Sequence, residues 1–203
     1  MSRKFQEKDL VLATHNFGKI EEFKHLFGNV NFNITDIGKY SSKTPEETGE
    51  SFWENSLIKA KEATKLTGLV SLADDSGLCV DILNGAPGIY SADWATKSDG
   101  SRDFKFAINK LIREIEKNNF EGPCTAYFIC SLILYWPDNH FEKFEGKMYG
   151  EIIWPGKGKK GHGYDPVFLP NGYEETFGQM DRWKKNKISH RGLAVNSLLN
   201  SCF

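Results

Sequence analysis

At 203 residues, 39% of them hydrophobic and 26% charged, the chain is long enough for one domain with a full core or for two small lobes sharing a sheet. It is too short for two independent domains of ordinary size, and residues 1–203 are treated as one folding unit. Twenty-six basic and 27 acidic residues leave a net charge of -1, so no global field draws the chain to nucleic acid polymers or to an anionic membrane, and any phosphate site has to be built locally.

The four cysteines, Cys79, Cys124, Cys130 and Cys202, lack the paired spacing of a zinc or redox site and read as reduced core thiols. Met1 to Asp9 is polar, without the apolar stretch of a signal peptide, and the apolar run Ala126 to Trp136 falls short of a membrane span. A cytoplasmic protein without membrane contact is the expectation.

In chain order, Leu10 to Ala13 is a short apolar strand that stops at Thr14-His15-Asn16, and Ile20, Phe23, Leu26 and Phe27 follow at helical spacing. Val30, Phe32, Ile34 and Ile37 predict a second strand, and Gly38 to Gly49 a polar loop. From Ser51 a longer helix carries Leu57, Ala60, Ala63 and Leu66 on one stripe and ends at Gly68. Leu69 to Ala73 and Leu78, Val80 and Ile82 predict two strands meeting at the acidic corner Asp74-Asp75-Ser76-Gly77. Asn84 to Gly88 is a loop, and Phe104 to Ile115 has helical spacing. Thr125 to Trp136 and Phe141 to Ile153 form a hairpin of long strands about Pro137-Asp138-Asn139. Gly156 to Gly163 is a glycine- and lysine-rich loop, Tyr164 to Leu169 a short apolar run, and Ile188 to Leu199 a closing helix. Strands alternating with helices, followed by a hairpin, indicate an α/β fold with a mixed sheet.

Five segments have the residue types that phosphate or nucleotide chemistry uses. Thr14 to Lys19 stands where a strand hands over to a helix; backbone N–H groups and the helix dipole there suit an anion, and Lys19 adds a point charge. It is not a P-loop, and an ordinary helix-start loop explains it as well. Asp74-Asp75-Ser76-Gly77 ends an apolar run; carboxylates suit Mg²⁺ and can deprotonate water, but adjacent strand residues face opposite sides, so one aspartate at most faces a given site. Glu46-Glu47-Thr48-Gly49 could complete a metal site with Asp75 or simply be a solvated loop, and Glu54-Asn55 is equally open. His162 to Phe168 offers aromatic faces beside a carboxylate, as a purine pocket needs, though Tyr164 could be core. Lys185 to Gly192 sets Ser189, His190 and Arg191 at the start of the last helix, where hydroxyl, imidazole and guanidinium suit an anionic ligand or serve structure alone. The basic run from Gly156 to Lys160 with Arg182, Lys184, Lys185 and Lys187 reads by itself as a solvated loop, and no nucleophile elbow is present around Ser76 or Ser189.

Taken in order, Leu12-Ala13-Thr14-x-Asn16-x-x-Lys19, Glu46-Glu47-Thr48-Gly49 with Ser51-Phe52-x-Glu54-Asn55, Ala73 to Leu78, Asn84 to Ala92, Gly163 to Phe168 and Ile188 to Gly192 resemble the inosine triphosphate pyrophosphatase, or Ham1-like, family. The resemblance spans nearly the whole chain. It implies a two-lobed α/β fold on a long curved mixed sheet flanked by helices, an active-site cleft between the lobes, and a homodimer. It implies Mg²⁺-dependent cleavage of non-standard purine nucleoside triphosphates such as those of inosine, deoxyinosine and xanthosine into monophosphate and pyrophosphate. Carried over by residue, Thr14, His15, Asn16, Phe17, Gly18 and Lys19 hold the triphosphate, Glu46 and Asp75 hold Mg²⁺, Asp75 is the base acting on water, and Ser76 contacts substrate. His162, Gly163, Tyr164, Asp165, Lys185, His190 and Arg191 line the nucleotide pocket. The chain departs from the pattern at His15, where glycine is common, at His162, where phenylalanine is usual, and at Asp93-Trp94, where Arg-Tyr is frequent. The competing readings are a Maf-like pyrophosphatase acting on other nucleotides and a catalytically silent nucleotide-binding protein.

Overall fold

The structure, a computed structural model, describes residues 2–118 and 122–203. Strand β1 (Asp9–Leu12) leads to helix α1 (Phe17–Phe27), strand β2 (Asn33–Asp36), helix α2 (Phe52–Thr67) and strand β3 (Val70–Val80). Helix α3 (Phe104–Glu116), strands β4 (Cys124–Tyr135), β5 (Phe141–Ile152) and β6 (Phe168–Pro170), and helices α4 (Arg182–Ile188) and α5 (His190–Cys202) complete the described chain. The six strands form one mixed sheet in the order β2-β1-β3-β4-β5-β6. β1 pairs parallel with β2 and with β3, and β5 pairs antiparallel with β6.

The chain divides into two compact units, the first of residues 1–75, 130–146 and 191–203, the second of residues 76–129 and 147–190. In the first, strand alternation sorts side chains to two faces. Leu10 and Leu12 of β1, Val70 and Leu72 of β3 and Cys130, Leu132 and Leu134 of β4 share a cluster with Ile20, Phe23 and Phe27 of α1 and Ala194, Val195 and Leu198 of α5. Val11, Ala73, Ile133 and Tyr135 join Ala60 and Ala63 of α2 in another. Small residues let α2 lie close to the strands, and buried hydroxyls fasten it there: Ser56 donates to the Ser131 carbonyl at 2.8 Å, and Ser71 to the Ala60 carbonyl at 2.6 Å. In the second unit Leu78 and Val80, Ala126 and Phe128, Ile152 and Phe168 cluster with Ala107, Ile108, Leu111 and Ile112 of α3.

Three expectations change. The run from Leu69 to Ile82 is a single strand rather than two meeting at a corner: β3 continues through Asp74, Asp75, Ser76 and Gly77. The acidic pair can lie inside a strand because cations, described below, compensate both carboxylates. The closing helix starts at His190 rather than Ile188, because Ser189 takes extended backbone angles (φ -67, ψ 157); ahead of it stands a further helix, α4, in the basic run that the sequence reads as a solvated loop. A short polar residue in that conformation is a natural helix boundary. Leu66, placed with Leu57, Ala60 and Ala63 on one stripe of α2, is exposed at the helix end, where Gly68 takes a left-handed φ of 70°. Among the described residues no helix is long and apolar enough to cross a membrane, and the four cysteines are free.

Candidate functional site

The first unit gathers the charged groups. At the end of β1, Asn16 caps α1, its side chain accepting from the Lys19 backbone N–H at 3.2 Å, while Thr14 Oγ1 accepts from the Asn16 N–H. This capped loop starts the helix so that Lys19, one turn in, reaches Asp74, with Nζ 2.9 Å from Oδ2. Phe17 is exposed. Arg191 also meets Asp74, at 3.0 Å, and donates to Glu22 of α1. Burial alone would raise the Asp74 carboxyl; Lys19 and Arg191 outweigh it and hold the group well below the usual carboxylate range. The guanidinium is raised in turn, burial being outweighed by Asp74 and Glu22.

Asp75 faces other partners, as strand alternation requires. Asn55 Nδ2 donates to its Oδ2 at 3.3 Å, and Lys59 Nζ lies 3.7 Å from Oδ1. Asn55 and Lys59 are four residues apart on α2 and so share a face. Burial pushes the Asp75 carboxyl above its ordinary value; Lys59 and Lys19 oppose the shift, and Glu47 and Asp74 add to it. A carboxyl shifted in this direction moves toward the range of a working general base. Lys59 is raised, its burial outweighed by Asp75, Asp74 and Glu47.

The loop from Ser41 to Ser51 enters the cluster through Glu47, whose Oε1 accepts from Lys59 at 2.9 Å. Glu46, the expected metal ligand, is exposed. The loop is fixed at its far end by Gly49 N–H donating to Asn55 Oδ1 at 2.8 Å and by Glu50 N–H donating to Glu54 at 2.9 Å. Gly49 has no alternative, because a Cβ there would stand 2.6 Å from the Glu54 Cβ. His15 does not extend into open space: Nε2 bonds to the Ser41 carbonyl and Nδ1 to the Thr44 hydroxyl.

In the second unit, Asp165 organises the Gly161–Gly163 loop. Its Oδ2 accepts from Lys185 Nζ at 2.6 Å and from the His162 backbone N–H at 2.8 Å, and both members of the ion pair are buried. Gly161 (φ 73) is required twice over, since a Cβ would also fall 2.0 Å from that oxygen. The His162 side chain is exposed. Tyr164 is core: its hydroxyl donates to the Ser91 carbonyl at 3.0 Å and its ring meets Phe104 edge to face. The His190 ring stacks on Phe128, centroids 4.8 Å apart. Ser76 is half-buried.

Reasoning from the residues singles out Asp75, Lys19 and the Glu46-Glu47 loop, and leaves Asn55 open; it does not find Lys59 or the partners of Arg191. The signal for Lys59 is a lysine placed four residues after Asn55, beside the alanine stripe of α2, where a buried cation needs an anionic partner. Among the described residues no group of three or more His, Cys, Asp or Glu side chains is arranged to hold a metal ion. Two lysines, an arginine and four carboxylates gathered about β3, beside the helix start of an α/β sheet, are the groups that a phosphate-handling protein uses.

The particular lineage follows from comparison. A family model described as the Ham1 family matches residues 10–201, and the chain belongs to that family. It is 46% identical to a dITP/XTP pyrophosphatase of Ruegeria pomeroyi over all of this chain and 99% of that protein. It is 43% identical to a dITP/XTP pyrophosphatase of Rhizobium meliloti over 98% of each. A Ham1 protein structure from Coxiella burnetii superposes with a TM-score of 0.87 at 35% identity, covering 96% of this chain and 98% of that one.

Proposed function

We propose that the chain hydrolyses non-standard purine nucleoside triphosphates, those of inosine, deoxyinosine and xanthosine, to the monophosphate and pyrophosphate. The observation that carries the reading is the convergence of Lys19, Lys59, Asp75 and Glu47 about one strand in a chain whose full length aligns with dITP/XTP pyrophosphatases. Water adds to the α-phosphorus, the bond to the bridging oxygen breaks, and pyrophosphate leaves; the proton of the water goes to Asp75. Thr14 to Lys19 hold the triphosphate, Lys19 and Lys59 offset its charge, and Asn55 with Lys59 keeps Asp75 aimed.

The donor set suits a hard divalent cation. Asp75 offers a carboxylate held by neutral Asn55 at 3.3 Å and by Lys59 at 3.7 Å, and Lys59 engages Glu47 while Glu46 stays exposed as a second oxygen donor. Glu46 and Asp75 would hold Mg²⁺, which takes few protein carboxylates and completes its shell with water and phosphate, and it would neutralise phosphate charge and lower the barrier to attack.

For the base, the exposed His162 with Gly163 serves recognition, the buried Tyr164, Asp165, Lys185 and His190 support that segment, Ser76 contacts substrate, and Arg191 contributes through its hold on Asp74. A donor set at the purine 6-position favours a 6-oxo group, because the amino group of adenine would leave a buried donor facing a donor. A homodimer in the cytoplasm completes the reading, resting on the family resemblance.

The test is to incubate the purified protein with Mg²⁺ and a panel of nucleoside triphosphates, quantifying pyrophosphate and orthophosphate separately. Pyrophosphate with inosine or xanthosine monophosphate is expected; orthophosphate as the primary product overturns the reading.

A further inference from the structure

His15 belongs to the lysine loop by sequence and to the carboxylate loop by its bonds. Its Nε2 lies 2.8 Å from the Ser41 carbonyl oxygen, 26 residues away, and its Nδ1 lies 3.2 Å from the Thr44 hydroxyl. A carbonyl can only accept, so Nε2 carries the proton and donates; in the neutral ring Nδ1 is then an acceptor, and the Thr44 hydroxyl donates to it. Both ring nitrogens are thereby used within the protein.

The near end of the loop also carries turn bonds, Ser41 N–H to the Ile37 carbonyl at 3.0 Å and Lys43 N–H to Ser41 Oγ at 3.0 Å, but neither ties it to the segment from Thr14 to Lys19. Between Tyr40 and Ser51 there is no helix or strand. Lys59 grips its middle through Glu47, and Asn55 and Glu54 grip its far end. Before Glu46, His15 joins the loop to the same short segment, Thr14 to Lys19, that aims Lys19 at Asp74. One imidazole therefore links the backbone that carries the lysine to the backbone that carries the acidic pair.

We propose that His15 is a positioning residue: it sets the Glu46-Glu47 loop against β1 and so orders the carboxylates for a divalent cation before nucleotide arrives. The proposal rests on the reading of Glu46 and Asp75 as the cation's ligands. A loop freed at one end pays ordering entropy on binding, so losing two hydrogen bonds weakens cation affinity by roughly tenfold.

The experiment compares wild type, His15→Gly and His15→Gln, all without nucleotide, by titrating Mn²⁺ and following its electron paramagnetic resonance signal, with amide exchange of residues 41–48 measured alongside. His15→Gly is expected to bind Mn²⁺ about tenfold more weakly and to exchange faster across the loop. His15→Gln, whose amide can still donate to Ser41, is expected to recover most of both. In turnover assays the activity lost at low Mg²⁺ returns as Mg²⁺ is raised. Wild-type Mn²⁺ affinity and exchange in His15→Gly would overturn the proposal, as would a loss of nucleotide affinity that no amount of metal restores. If wild type releases no pyrophosphate from any nucleotide while Mn²⁺ binding still depends on His15, the activity assignment fails and the positioning role stands.

Discussion

Arg191 and Asp74 meet at 3.0 Å with side chains 4% and 0% exposed, 117 residues apart in the chain, and the same guanidinium holds Glu22. A buried charge pair contributes little net stability compared with apolar side chains of the same shape, but removing one partner leaves the other uncompensated. Arg191→Gln is therefore expected to lower the unfolding free energy by about 3–5 kcal/mol, measured by urea denaturation. Adding Glu22→Gln should return part of that loss, since it removes one of the stranded charges. An Arg191→Gln protein within 1 kcal/mol or so of wild type would mean that the network is not what holds this corner of the unit.

Asp75→Asn keeps the shape of the side chain and its place beside Asn55 while removing the proposed base. Turnover is expected to fall by roughly 10²–10⁴-fold with the thermal unfolding midpoint essentially unchanged. Near-normal pyrophosphate release in this variant would strip Asp75 of the proton-accepting role.

The two carboxylates of the loop should separate by phenotype. Glu46→Gln removes a proposed cation donor, so the Mg²⁺ concentration for half-maximal activity rises while activity at saturating metal is largely regained. Glu47→Gln instead weakens the grip of Lys59, 2.9 Å away, and should lower turnover at every metal concentration. Identical metal titrations for the two variants would show that Lys59 does not divide their roles.

Lys59→Met fills the same space without the charge. With Asp74, Asp75 and Glu47 losing a shared cation and the substrate phosphates losing a compensating one, turnover is expected to drop by roughly 10²-fold in a folded protein. Unchanged kcat would show that Lys19 suffices.

Much of this layout is legible along the chain because local chemistry fixes it: the apolar run Leu10 to Ala13 as a strand, the helix that follows Thr14-His15-Asn16, and the helix that ends at Gly68 all follow from short-range rules. The errors arise where tertiary charge compensation overrides local signals. Asp74 and Asp75 look like a corner, and only Lys19, Arg191 and Lys59, drawn from two helices before the strand and one at the far end of the chain, explain why β3 runs on through them. Lys59 is silent in sequence for the same reason: its anionic partners, Glu47 and Asp75, come from a loop and a strand on either side of it. Arg191 is visible as a cation at a helix start, yet nothing local says that it faces carboxylates of the protein rather than those of a ligand.

In the proposed base site, His162 is the departure that bears most directly on base choice. Its backbone N–H is fixed to Asp165 at 2.8 Å, and Asp165 is itself held by Lys185, so the position of the residue is set by the loop and not by the nature of its side chain. The ring is exposed, and a substitution there leaves the buried ion pair intact. His162→Phe should therefore fold as wild type does while exchanging an imidazole, which can stack and also donate a hydrogen bond, for a larger and wholly apolar face. Michaelis constants for inosine and guanosine triphosphates are expected to shift by several-fold, with kcat less affected, because the phosphate-handling groups are untouched. Michaelis constants that stay put for both nucleotides would remove His162 from the base site.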